Sequence, residues 1–241
     1  MATEYQTIYI LASGMLLQER KLEVSSNNLA NVNTPAFKKD FLTALSYYIP
    51  EGEKLQTTNP YEPSNNYVYP IVERVEHILS QGSLVKTGNP LDLAIEGEGF
   101  FAVRMPDGSI AYTRKGIFRL NDEGILTTEE GYPVLDESLN PIRVEGEFKI
   151  TKDGTYYING VPSGRLGIFN LQNARKIGND FFTGNALPSQ NYRIFQGFYE
   201  ASNVNAIKEM IKLIDTVRAN EMFSKLIRMN DEVMGRLNES I

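Results

Sequence analysis

The feature that most constrains this chain is the pattern at its two ends. One amphipathic stretch closes on Asn27-Asn28-Leu29-Ala30-Asn31-Val32-Asn33-Thr34-Pro35-Ala36-Phe37-Lys38. A second opens at Ser202-Asn203-Val204-Asn205 and runs to the last residues. Turn-rich, strand-like sequence lies between them. A chain with helical ends and a β-rich middle must pack those ends against each other or against neighbouring copies. That requirement leans toward an assembly subunit and away from an enzyme.

The spacing predicts an N-terminal helix over residues 3–30. Ile8, Ala12, Met15, Leu22, Ser26 and Leu29 recur at intervals of three, four or seven, with Leu11 beside them. Thr3 and Gln6 have capping-box spacing, and Pro35 stops the helix. Glu19 and Glu23 are like charges one turn apart, so the helix needs a partner. The strongest helix is predicted over 203–239. Ile207, Met210, Ile214 and Val217 follow three-four spacing, as do Met222, Leu226, Met229 and Val233. Ile211 and Leu237 extend this face, and the period stays near the 3.5 of a coiled-coil seam. Ser202, Asn203 or Asn205 can cap its free amides. Such a helix is roughly 50 Å long at 1.5 Å per residue, more than one sandwich needs, which favours an interface.

Between the helices, residues 38–78 read as an extended connector with aromatic anchors. Pro50, Asn59-Pro60, Pro63 and Asn65-Asn66 disfavour regular structure, while Tyr67, Tyr69 and Ile71 alternate as an edge strand does. Residues 79–198 read as β-rich. Leu91, Leu93 and Ile95 alternate with Asp92, Ala94 and Glu96, and Phe101 and Val103 continue the pattern. Turn signals recur at Pro106-Asp107-Gly108, Glu123-Gly124, Asp153-Gly154 and Asn159-Gly160. Many short strands with frequent turns predict an antiparallel sandwich or irregular barrel.

The chain has 24 basic and 30 acidic residues among 241, a net charge of −6. That balance lacks the basic face nucleic acid needs and does not suit an anionic membrane. With no cysteine, disulfides and thiolate metal sites are excluded. No apolar run approaches the ~20 residues of a membrane span, so no insertion is expected. Glu4 and the lack of Lys or Arg before Arg20 argue against a cleaved secretory signal. His77, the only histidine, excludes two-imidazole sites and reads as a surface residue. Glu96/Glu98 and Glu129/Glu130 read as solvated charge. Gly97 and Gly99 lead into a strand with acidic neighbours, so they suit a bulge or turn, not a phosphate loop. No catalytic motif, cofactor or metal is expected. The dense asparagines at 27, 28, 31 and 33 read as a helix end whose amides can also bond to neighbouring chains.

Three groups of residues carry a family likeness. Ser25 to Lys38 resembles the N-terminal signature of bacterial flagellar rod and hook proteins. Gln81-Gly82-Ser83-Leu84, Thr87-Gly88-Asn89-Pro90-Leu91-Asp92-Leu93-Ala94-Ile95, Gly97 and Gly99-Phe100-Phe101 resemble the start of their central domain, continued by Tyr112-Thr113-Arg114, Gly116 and Phe118. Ser202-Asn203-Val204-Asn205, Glu209, Arg218-Ala219 and Glu221 match the C-terminal signature. Ala36 stands where the family usually has glycine. The short length resembles a rod subunit, most like the proximal-rod type with the distal-rod type second.

The resemblance implies an α+β fold in which the N- and C-terminal helices pair as a coiled coil and flank the β-rich central domain. Residues 1–37 and 199–241 would form one discontinuous core domain, with the connector at 38–78 and the central domain at 79–198. The implied function is a structural subunit of the basal-body rod, the tube that transmits torque from motor to hook. It would lie in the periplasmic space, exported without signal cleavage. Its partners would be itself, neighbouring rod subunits, the hook and the flagellar export apparatus. The assembly interface is assigned to Asn28, Leu29, Asn31, Asn33, Phe37, Asn203, Val204, Asn205, Ile207, Met210, Ile214, Val217, Arg218 and Glu221. The alternatives are a secreted binding module, adhesin-like or glycan-binding, and a cell-wall hydrolase using Glu96 and Glu98.

Overall fold

The computed structural model describes residues 2–48, 68–178 and 180–239. The chain divides into two compact units: Met1–Ala30 with Asp40–Ile78 and Asn205–Ile241, and Asn31–Lys39 with Leu79–Val204. The proline- and asparagine-rich run from Pro50 to Asn66, and Tyr67, lie outside the described residues.

The first unit contains helix α1 (Ala2–Ala30), strands β1 (Asp40–Tyr48) and β2 (Val68–His77), and helix α2 (Ala206–Glu239). β1 and β2 pair antiparallel from Asp40↔His77 to Tyr48↔Val68, with a register shift at Thr43/Ala44. Much of the segment read as an extended connector is therefore a hairpin, and α1 packs on both its strands. Phe41, Leu42, Leu45 and the alternation of Tyr69 and Ile71 supply the strand-forming residues, while the proline run falls outside the paired segments. α2 begins where Asn205 Oδ1 accepts the Lys208 N–H at 3.0 Å, so Asn205 is its N-cap.

The expected coiled coil is corrected here. α1 and α2 do pack together: a Cβ on Gly14 would lie 2.7 Å from Phe223 Cε1. The expected seam is not what meets. Ile207, Met210, Ile214, Met222, Leu226, Met229 and Val233 are between 45% and 68% exposed. Two causes are visible. The apolar row takes a five-residue step from Val217 to Met222, where a coiled coil needs three or four. The buried positions are small or polar: Gly14, Ser25 and Asn28 on α1, Glu209 and Thr216 on α2. Thr216 satisfies its hydroxyl on the Lys212 carbonyl at 2.7 Å.

The second unit contains β3 (Leu84–Lys86), β4 (Leu93–Gly97), β5 (Phe100–Arg104), β6 (Ile110–Thr113), β7 (Phe118–Leu120), β8 (Leu126–Thr128), β9 (Phe148–Ile150), β10 (Thr155–Ile158), β11 (Val161–Arg165), β12 (Ile168–Gly178), β13 (Phe181–Pro188), β14 (Tyr192–Gln196) and β15 (Phe198–Glu200). Among the described residues, β12-β13-β6-β5 close a barrel, and the rest form the sheets β11-β10-β9, β14-β4, β15-β3 and β7-β8. A small barrel with satellite sheets thus replaces the single sandwich or barrel expected. Asn159 and Gly160, at φ 52° and 79°, make the tight turn from β10 to β11.

β5 is buried on both faces. Phe101 and Val103 enter a core with Leu93, Ile95, Phe118 and Leu126, whereas Phe100 and Ala102 enter a second with Tyr112, Phe169 and Phe182. Phe101 meets Phe118 edge-on at 5.2 Å. Gly116 permits the closest approach in this core: a Cβ there would lie 1.6 Å from the Leu93 carbonyl oxygen. Because that neighbour is backbone, the strand itself would have to move. Gly116→Ala is expected to cost about 3 kcal/mol by overpacking. Denaturant unfolding should show a lower midpoint, and an unchanged midpoint would contradict this packing.

Candidate assembly interface

The residues assigned to assembly fall into two sets: those that tie the terminal signatures into the fold, and those left facing solvent. The first centres on Glu200 in the second unit. The turn from Asn31 to Thr34 closes through the Thr34 N–H on the Asn31 carbonyl at 3.2 Å. Ala36 then takes φ 59°, a left-handed conformation that glycine adopts without a Cβ clash. Its N–H reaches the Glu200 carbonyl at 2.7 Å. Phe37 is buried beneath Lys176, whose ammonium lies 4.3 Å from the ring centre.

Lys38 follows and is fully buried. Its ammonium donates to Glu200 Oε1 at 2.6 Å and to the Ser80 carbonyl at 2.9 Å. The Gly82 N–H donates to the same carboxylate oxygen at 2.8 Å. Arg114 Nε lies 3.2 Å from Oε2 as an ion pair outside hydrogen-bond geometry. Its other nitrogens donate to the carbonyls of Gly99 and Gly97, each at 2.7 Å. Gly97 and Gly99 therefore present backbone oxygens to a cation. Burial holds the Lys38 ammonium below the usual lysine range, only partly offset by Glu200 and reinforced by the Arg114 charge. Burial likewise lowers Arg114, opposed by Glu200. One carboxylate thus balances two buried cations.

The sequence-assigned residues separate sharply. Asn203 is inside this arrangement: its Oδ1 accepts the Lys39 N–H at 2.7 Å and its Nδ2 donates to the Ser80 carbonyl at 2.9 Å. Val204 is half-buried beside it. In the first unit, Asn28 is buried and uses both ends of its amide on Asp40, donating to the carbonyl and accepting the N–H, each at 2.8 Å. It also donates to Glu209 Oε2 at 3.4 Å. Glu209 is buried in the first turn of α2, where the helix dipole favours a carboxylate. Leu29 and Asn31 are half-buried, and Asn33 is exposed. Asn28, Asn203 and Asn205 therefore hold this chain's own joints. On α2, by contrast, Ile207, Met210, Ile214, Arg218 and Glu221 face solvent, and Val217 is half-buried.

The sequence reading missed Lys38, Arg114 and Glu200 as a unit. Their signal is charge in apolar company, as in Ala36-Phe37-Lys38 and Phe198-Tyr199-Glu200, but pairing across 162 positions is not legible in it. The groups weighed for catalysis have partners of their own. His77 Nδ1 lies 2.6 Å from Asp40 Oδ1. Glu96 pairs with Arg193 at 3.6 Å, Glu98 accepts from Asn170 at 3.3 Å, and Glu129 and Glu130 hold Lys115. Among the described residues, no cluster of three metal-ligating side chains occurs and no helix is long and apolar enough to cross a membrane.

Three family descriptions match in order along the chain. "Flagella basal body rod protein" covers residues 8–38, the "Flagellar hook protein FlgE/F/G D1 domain" covers 94–158, and "Flagellar basal body rod FlgEFG protein C-terminal" covers 196–240. Relatives match end to end. The flagellar basal-body rod protein FlgG of Buchnera aphidicola subsp. Schizaphis graminum is 34% identical over 97% of this chain and 98% of its own. FlgF of Caulobacter vibrioides is 33% identical over 96% and 98%, and FlgG of Borreliella burgdorferi 30% over 97% of each. The chain belongs to the flagellar basal-body rod protein family. Relatives named FlgG and FlgF match it about equally well.

The rod-family segments give the buried charges a meaning. Lys38 ends the first matched segment, Arg114 lies in the second and Glu200 in the third. The three family segments thus meet at one ion cluster. Removing its carboxylate leaves two buried cations, so Glu200→Gln should cost about 3–5 kcal/mol. Lys38→Met leaves Arg114 opposite Glu200 and should cost less, about 1–3 kcal/mol. Denaturant unfolding of both variants checks the order, and a larger loss for Lys38→Met would contradict it.

Proposed function

We propose that this chain is a structural subunit of the flagellar basal-body rod, assembling through the exposed apolar face of α2. The observation that carries this reading is that face itself. Ile207, Met210, Ile211 and Ile214 stand in solvent on a helix whose own chain buries a different, partly polar side. Monomers rarely leave so much contiguous apolar surface without a partner. Rod-family membership supplies the partners: other copies and neighbouring axial subunits. Contacts between unlike surfaces then repeat as an open helical polymer, the geometry a tube requires.

The same reading puts the subunit in the periplasmic part of the flagellum, reached through the flagellar export apparatus without cleavage of a signal. Absence of cysteine means that no disulfide can trap the chain on that route. The role is mechanical, with no chemistry at the residues that hold the fold. No observation favours the secreted binding module.

Ile214→Asp is the direct test. The side chain is 49% exposed, so the fold should lose no more than about 0.5 kcal/mol. Incorporation into the rod should be lost, because a carboxylate would be buried without a partner. Thermal unfolding of the purified variant and its content in isolated basal bodies read the two effects separately. Normal incorporation with normal stability would contradict α2 as the assembly face.

A further inference from the structure

Strand β12 has an open edge. On one side it pairs with β13; on the other it pairs with β5 only at Ile168↔Phe101 and Phe169↔Phe100. The Ile168 carbonyl accepts the Ser189 N–H at 2.9 Å on the β13 side, and the Gly167 carbonyl accepts the Ala102 N–H at 3.2 Å on the β5 side. Alternation therefore turns the Leu171 N–H and carbonyl toward the β5 side. If the register continued, Glu98 would be their partner. Instead the chain turns away through Gly97 and Gly99, at φ 100° and 120°. Glu98 spends its backbone on the Asn191 carbonyl and the Ser189 hydroxyl, each at 3.0 Å. Among the described residues, no other strand or bridge covers Leu171 on that side. The nearby edge of β4 is treated differently: the Gln81 amide accepts the Gly97 N–H at 3.0 Å and donates to the Ile95 carbonyl at 3.1 Å, plugging it. Open strand edges are templates for pairing with another chain.

A cleft of about 740 Å³ opens on this edge, lined by Leu171 together with Phe100, Arg114 and Leu187. Arg114 is 4% exposed, and its guanidinium has five N–H groups. One each goes to the Gly97 and Gly99 carbonyls, Nε faces Glu200, and the others have no acceptor among the described residues. Arg114 and Lys38 share one carboxylate, so this wall keeps a net positive charge. We propose that the cleft docks an extended peptide ending in a free carboxylate. A guest strand bonds to the Leu171 N–H and carbonyl and so adds to the sheet. Charge sets its direction. A guest antiparallel to β12 takes the line of β5 and runs the same way, so its last residue abuts Phe100 and its carboxylate meets Arg114. A parallel guest would bring its ammonium to that cation. Leu79 and Leu187, 38% and 53% exposed, supply apolar walls for the last side chain. Glu98, the one carboxylate in the lining, is held by Asn170 at 3.3 Å; it opposes the guest's charge and limits its affinity. The proposal does not depend on the rod reading.

The test uses the immobilised full-length chain and a pool of random hexapeptides with free C-termini, beside the same pool amidated at the C-terminus. The free-carboxylate pool should be retained at least about tenfold more strongly, because only it can make charge-assisted bonds to Arg114. Apolar residues should be enriched at its last position. Equal retention of the two pools, or retention of neither, overturns the proposal. Leu187→Asp, at a half-exposed position, should keep its melting temperature and lose retention, whereas Glu98→Gln should increase retention. Retention unchanged in both variants would contradict the site. A retained peptide should also slow hydrogen exchange at the Leu171 N–H. Protection confined to other segments would place the peptide elsewhere and overturn the proposal as well.

Discussion

A buried carboxylate is costly to solvate in a protein interior, and Glu200 lies in one. Two cations and a backbone N–H surround it: Lys38 from the segment after α1, Arg114 from the end of the β5–β6 region, and Gly82. Lys38, Arg114 and Glu200 are all too buried to fall back on water for their charges, so each carboxylate or cation depends on its partners here. The consequence is topological. Residues 162 positions apart are held in one small volume, so the segment Asn31–Lys39 and strand β15 belong to the same folded unit. Asn203 extends this hold to the last residues before α2. An arrangement of this kind adds little net stability over an apolar alternative, but loss of any one partner leaves an uncompensated buried charge.

Sequence periodicity revealed the helices to within three residues at each end, because a three-four apolar pattern has few other interpretations over thirty positions. It also revealed the strand Leu93–Gly97 and the Asn159-Gly160 turn, where side-chain alternation and positive φ leave direct marks. It did not reveal which face of α2 would be covered. Ile207 and Ile214 read from sequence as an interface within one continuous seam, and only the structure shows that the chain spends Glu209, Thr216 and small residues of α1 on its internal contacts. The hairpin of β1 and β2 was obscured by the prolines that follow Tyr48, which weaken the expectation for strands flanking them. Ion clusters such as Lys38 with Glu200 leave no periodic trace at all. The asparagines illustrate the remaining ambiguity: Asn28 and Asn203 stood out for polarity, yet they use it on their own backbone.

If the exposed face of α2 is the assembly surface, as proposed, its energetics favour assembly through several contacts at once. Eight half-exposed apolar side chains would each contribute about 1 kcal/mol on burial. Divided over two contacts, that is about 4 kcal/mol each, only the low end of the roughly 4–15 kcal/mol lost when one chain is fixed against another. One contact alone is therefore weak, and stable incorporation needs several neighbours at once. This favours addition at a growing end, where several surfaces are already in place, over premature pairing in solution.

The most direct measurement is cryo-electron microscopy of hook–basal bodies from the source organism, with this chain traced in the density. The account predicts that the chain is found in the rod, with Glu200 buried between Lys38 and Arg114 and with Ile211 and Met229 covered by neighbouring subunits. Intact rods that lack the chain, or a rod in which that face of α2 borders solvent, would contradict it.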